Sequence, residues 1–189
     1  MQTKHICVLS PVRIITEVIQ LMSIADDTVQ YLRTNDLVLT TAESCTAGKI
    51  VTLLSEVEGS GNFIECGYVV YSPQAKQRLL HVNPHTIETF NLTSVEVARE
   101  MAMGALRDST ANAAIATTGI LGPDDLDGIP AGTICFAWAF QMADGCYVFS
   151  YQHRFSGGRC EVQTQATEYA LQCLAHFHER VLQGEKGEH

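Results

Sequence analysis

Basic residues are scarce in this sequence: 12 lysines and arginines stand against 21 aspartates and glutamates, a net charge of −9. A chain without a basic face cannot neutralise a phosphate backbone, so general nucleic-acid binding is excluded, although a small anion needs only a few local donors. Long apolar runs are missing too. Ile6-Cys7-Val8-Leu9 is interrupted by Pro11 and Arg13, and no stretch approaches the roughly 18–20 apolar residues of a membrane span. That argues against secretion and against a membrane partner. The seven cysteines are odd in number, scattered and without a CxxC pair, which disfavours a disulfide framework and a zinc site alike. Histidines lack ligand spacing: His176 and His178 are two apart on one helix and point different ways. No metal site and no cofactor is expected, and the protein is read as reduced and cytoplasmic.

Nucleotide motifs are equally absent. No GxGxxG follows a strand. Ala47-Gly48-Lys49 resembles the end of a P-loop, but Glu43 stands where that loop needs glycine. Ile50 stands where a Ser or Thr must hold magnesium.

What is present is an ordinary globular composition, 46% hydrophobic and 17% charged, long enough for one domain with a full core. Residues 1–22 form an appendage, with Val12, Ile14, Ile15, Val18 and Ile19 as candidates for one face of a short helix or for packing on a partner subunit. The domain spans 23–183, and the tail 184–189 is expected to be disordered. Helix is predicted around Ala25 to Leu32, ending at Asn35-Asp36, with a buried strand at Leu37-Val38-Leu39. A further helix follows through Ile50 to Leu54. Phe63 to Tyr71 reads as strand, and Pro73 starts a short helix to Leu80. Thr93 or Ser94 caps an amphipathic helix carrying Val97, Met101, Ala105 and Leu106. Ala113 to Thr117 is a second buried strand. Asp124 to Pro130 is a polar loop, and strands 132–140 and 147–155 form a hairpin through Ala143-Asp144-Gly145. One long helix runs from Arg159 to Leu182. Strands and helices alternate before the hairpin, so the fold class is α/β: a three-layer α/β/α arrangement with a mixed central sheet.

The candidate site begins at Thr40 to Lys49, an abrupt strand-to-helix turn whose free N–H groups favour anions. Ser44 is placed there as a nucleophile that needs a base. Lys76, if partly desolvated, can accept its proton directly or through Tyr71. Thr117-Thr118-Gly119 supplies donors at another strand end, and Arg159 can fork onto a phosphate. Each has a plainer reading: Ser44 or Thr46 as a helix cap, Tyr71 as core, Lys76 as a solvated helix residue, and Arg159 as a surface contact. Glu43 can orient the turn or merely favour the helix start.

Thr41-Ala42-Glu43-Ser44-Cys45-Thr46-Ala47-Gly48 closely resembles the TAESCTGG signature of the CinA C-terminal domain family, the nicotinamide mononucleotide deamidases. Further matches follow in order. Gly67 to Lys76 is similar to G-x-V-x-Y-S-N-E-A-K, and Thr118 to Asp124 is similar to S/T-G-I-A-G-P. Pro130 to Thr133 resembles P-V-G-T, and Phe155 to Arg159 resembles F-S-G-D-R. The resemblance covers about residues 24–180. It implies hydrolysis of the carboxamide of nicotinamide mononucleotide without metal or organic cofactor. Ser44 would be the nucleophile, and Tyr71 and Lys76 the proton-transfer partners. Glu43, Thr46, Thr118, Gly119 and Arg159 would serve the substrate. It also implies a homo-oligomer, by default a dimer. Thr46 then becomes the preferred cap and Cys45 a packing residue. Departures from the family pattern are Ala47 for glycine, Pro73-Gln74 for Asn-Glu, and Ile129 for a lysine. Gln163 and Thr164 stand where further arginines are usual, and together these changes subtract positive charge from a phosphate site. They motivate two other expectations: a catalytically silent relative that binds a nucleotide or a protein partner, or, with the acidic loop 124–128, a hydrolase for an unphosphorylated riboside.

Overall fold

The computed structural model describes residues 24–187, and the expectations for residues 1–22 and for the end of the tail lie outside them. Helix α1 covers residues 24–34 and is closed by Asp36 in the left-handed region. Then follow β1 (Leu39–Glu43), α2 (Lys49–Ser55), β2 (Ile64–Val69), α3 (Pro73–Leu80), α4 (Pro84–Phe90), α5 (Val95–Arg107), β3 (Ala113–Gly119), β4 (Thr133–Met142), β5 (Gly145–Arg154) and α6 (Arg159–Leu182).

The sheet order is β2-β1-β3-β4-β5. The first three strands are parallel and the hairpin β4–β5 is antiparallel, so the sheet is mixed, as the sequence predicts. Because the chain leaves β1 toward β2 and returns across it to β3, the carboxyl ends of β1 and β3 form a topological switch point. That is where an open α/β sheet leaves a crevice.

Period-two alternation distributes two unequal cores. Ile134, Phe136, Trp138 and Phe140 of β4 face α1, α2 and α6, where Trp138 Nε1 donates to the Ala170 carbonyl at 2.8 Å. Cys135, Ala137 and Ala139 face the other way with Ala114 and Ala116, and these small side chains let α5 lie close to the sheet. Gly104 extends that closeness to α3: a Cβ there would stand 2.1 Å from the Leu80 carbonyl oxygen.

Ser94 is the cap of α5, accepting from the Val97 N–H, and Ser72 with Pro73 starts α3. Two expectations need correcting. β1 extends through Glu43, well past Leu39, and every one of its residues is buried. Helix α4 has no counterpart in the sequence reading, although Asn83 caps it by accepting from the His85 N–H and Pro84 opens it. The polar loop also holds local order. Leu126 and Ile129 exchange N–H···O=C bonds across Asp127-Gly128, both in the left-handed region, which makes a tight turn of the hairpin type. After α6, Gly184 and Glu185 donate their N–H groups back to the carbonyls of Val181 and Arg180.

Candidate active site

Ser44 follows the last residue of β1, and its N–H donates to the Thr117 carbonyl of β3 at 2.9 Å. The sheet therefore fixes the backbone of Ser44 directly at the switch point. Its hydroxyl reaches a cavity of about 350 Å³ whose lining includes Tyr71, Lys76, Thr118, Gly119, Asp124 and Arg159. Volumes of this order suit a small organic ligand.

Lys76 comes from α3, yet only 1% of it is exposed. Its Nζ lies 2.9 Å from Ser44 Oγ, 2.8 Å from the Val70 carbonyl oxygen and 3.5 Å from that of Tyr71. Burial penalises the ammonium form and lowers the lysine to about 8, against an opposing pull from Cys45. The solvated-lysine reading is overturned, and so is the indirect route: Lys76 touches Ser44 without Tyr71 between them. Tyr71, 59% exposed as a residue, instead accepts through its hydroxyl from Arg159 Nη2 at 3.0 Å. Arg159 Nη1 donates to the Gly122 carbonyl at 3.1 Å. The first residue of α6 thus brings its guanidinium over the mouth of the cavity.

Glu43 has a different part from the substrate contact expected of it. It is wholly buried, and its carboxylate accepts from the N–H groups of Gly48 (3.0 Å), Ile50 (3.1 Å) and Val51 (3.1 Å) and from Thr41 Oγ1 (3.2 Å). The helix-start donors that would have favoured an external anion are satisfied by the chain's own carboxylate. Thr46 is corrected likewise. The residue before α2 is Gly48, without a side-chain cap, while the Thr46 and Thr117 hydroxyls share a bond of 2.7 Å beneath the turn.

Thr118 and Gly119 do line the cavity. The Thr118 hydroxyl donates to the Leu92 carbonyl at 2.8 Å, which ties the Leu92-Thr93 segment to the rim. Gly119 also serves the sheet, since a Cβ there would meet the Thr133 carbonyl oxygen at 2.5 Å. Cys45, just after Ser44, is buried, and burial pushes its thiol up to about 12. It remains a neutral thiol near pH 7 and packs in the core, as expected of it.

The departures from the family pattern fall mostly outside the cavity. Ala47 is exposed, with φ of 56°, so its Cβ brings left-handed strain and no obstruction. Gln74 is exposed on α3 and Pro73 opens that helix. Neither Gln163 nor Thr164 lines the cavity: Gln163 Nε2 donates to the carbonyls of Cys45 and Thr46, and Thr164 Oγ1 accepts from Lys49 Nζ. Gln163, the carbonyl of Val70 and the Thr117 carbonyl are the site's contributors that sequence reasoning missed. Backbone acceptors leave no sequence signal, and Gln163 stood out only as an absent arginine. Among the described residues no group of three His, Cys, Asp or Glu side chains gathers to hold a metal ion.

A serine hydroxyl on a buried, partly neutral lysine, set at the carboxyl edge of a wound α/β sheet, is the arrangement of a lysine-activated serine nucleophile. Comparison with known proteins places the chain in a family. The family model of the CinA C-terminal domain matches residues 21–178. Nicotinamide-nucleotide amidohydrolase PncC of Shigella flexneri is 37% identical over 156 residues, covering 82% of this chain and 93% of that protein. Protein YdeJ of Escherichia coli is 39% identical over 144 residues, covering 75% of this chain and 81% of its own. The crystal structure of a competence-damaged protein (CinA) superfamily protein from Escherichia coli superposes with a TM-score of 0.79 at 33% identity, covering 94% of this chain and 99% of that one. The chain belongs to the CinA C-terminal domain family.

Proposed function

We propose that this protein is an amidohydrolase that converts nicotinamide mononucleotide to nicotinic acid mononucleotide and ammonia. The observation that carries the reading is the contact of Lys76 Nζ with Ser44 Oγ at 2.9 Å in a cavity that also holds Arg159. The named activity of the PncC relatives supports it.

In this reading Lys76 acts in its neutral form. Two N–H groups go to the carbonyls of Val70 and Tyr71, and the lone pair faces the serine hydroxyl. Ser44 Oγ attacks the carboxamide carbon while its proton passes to Lys76. The backbone N–H of Cys45, directly after the nucleophile and in the cavity lining, is the candidate to hold the oxyanion. The C–N bond then breaks and ammonia leaves with a proton. Tyr71 is the candidate donor, because its oxygen accepts from Arg159 and its own hydrogen is left for the cavity. The proton held by Lys76 returns to the exposed Tyr71 through solvent, so the lysine is neutral when water attacks the acyl ester; it takes the water's proton and gives it to Ser44 Oγ as the acid product leaves. Arg159 has the place and shape for the substrate phosphate.

The test is ammonia release from nicotinamide mononucleotide by the purified chain, with the riboside alongside. Release that depends on Ser44 and is faster for the phosphorylated substrate is expected. Release no greater than that of Ser44→Ala would overturn the reading.

A further inference from the structure

The turn that carries Ser44 is held from two directions by groups of opposite kind. Glu43 collects its N–H groups at Gly48, Ile50 and Val51. From α6, Gln163 sends Nε2 donors to its carbonyls, 3.2 Å to Cys45 and 3.1 Å to Thr46. Those are the two residues directly after the nucleophile. On the other side of Ser44 the backbone is fixed by the sheet, through its own N–H on the Thr117 carbonyl. Immediately beyond Thr46 stands Ala47 with φ of 56°, a conformation an alanine keeps only when its surroundings impose it. Gln163 also lies one helical turn after Arg159, so the two project from the same side of α6. One of them reaches the cavity and the other reaches the turn.

We infer that Gln163 is a positioning residue for the serine chemistry: its carboxamide anchors the two peptide groups after Ser44 and thereby holds Oγ against Lys76 Nζ. It does not line the cavity, so it acts through the turn and touches no substrate. The inference rests on Ser44 being the nucleophile, the reading proposed above.

A fluorophosphonate probe tests it without any nucleotide. Reaction forms the Oγ–P bond, breaks P–F, releases fluoride and passes the hydroxyl proton to Lys76. Gln163→Ala, folded by circular dichroism and thermal unfolding, is expected to label about tenfold to a hundredfold more slowly than wild type, the scale of loss when a reacting group drifts by about an ångström. Gln163→Lys keeps donors for the two carbonyls and is expected to recover to within about threefold of wild type. Gln163→Glu points acceptors at them and is expected to be as slow as the alanine variant. Labelling of Gln163→Ala at the wild-type rate would overturn the inference, and so would a lysine variant no faster than the alanine one. A wild-type protein that is not labelled at Ser44 at all would instead remove the nucleophile reading itself.

Discussion

Lys76 Nζ and Ser44 Oγ stand 2.9 Å apart although 32 residues separate them in the chain. The parallel pairing of β1 with β2 creates the contact, because it brings Glu43 level with Val69 and so sets Ser44 beside the segment that starts α3. Burial does the rest by making the ammonium form of the lysine costly.

That cost has a consequence for stability. The lysine is lowered from 10.5 to about 8, so between those values the unfolded chain binds a proton that the folded chain does not. Stability from this group therefore rises with pH across that window and is lowest below pH 8. The shift corresponds to about 3 kcal/mol, and about 1 kcal/mol of lost hydrogen bonding to Val70 offsets it in a Lys76→Met variant. Lys76→Met is expected to be inactive and, at pH 7, about 2 kcal/mol more stable in urea unfolding. Its advantage should shrink as pH approaches 10.

Glu43 is the keystone of the turn. Glu43→Gln replaces an acceptor-only carboxylate by an amide that must present N–H groups to backbone N–H groups. A loss of about 2–3 kcal/mol is expected by chemical denaturation, with ammonia release falling further than the unfolded fraction explains. A variant as stable and active as wild type would show that the clamp is dispensable.

Cys45 is the neighbour that thiol chemistry would suggest. With its thiol pushed up to about 12 and buried in the core, Cys45→Ala is expected to keep activity within about threefold while losing about 1 kcal/mol of stability. Loss of turnover comparable to that of Ser44→Ala would reassign the nucleophile.

Much of the architecture was legible from residue pattern alone. Runs such as Ala113 to Thr117 and Thr133 to Phe140 are apolar or β-branched enough to read as strands, and the Ala143-Asp144 connection announces the hairpin. Thr40-Thr41-Ala42-Glu43 does not look like buried strand, because Thr40 and the Glu43 carboxylate find partners elsewhere in the fold and Thr41 donates to Glu43 itself. Asn83-Pro84 carried a usable start signal for α4, but seven residues with no buried side chain gave no apolar stripe to support it. The pairing of Ser44 with Lys76 is one of two readings open from the residues, beside a cap and a solvated lysine, and only the family resemblance favours it, since no local rule links positions in different elements. Gln163 and Thr164 stand where arginines would add charge to a phosphate site, yet they brace the turn and α2 instead.

Arg159 and Tyr71 form the cation–phenol pair at the cavity mouth. Arg159→Ala is expected to raise KM for the phosphorylated substrate by about tenfold to a hundredfold and to leave the riboside nearly unaffected, as loss of a charge-assisted phosphate contact requires. Equal effects on both substrates would place the phosphate elsewhere.

The central claim, that neutral Lys76 activates Ser44, is tested most directly by the pH dependence of kcat/KM for ammonia release. A lysine poised near pH 8 is about one-tenth neutral at pH 7, so the rate should climb about tenfold per pH step below 8 and level off above it. A profile that is flat or falling from pH 6.5 to 9 would contradict it.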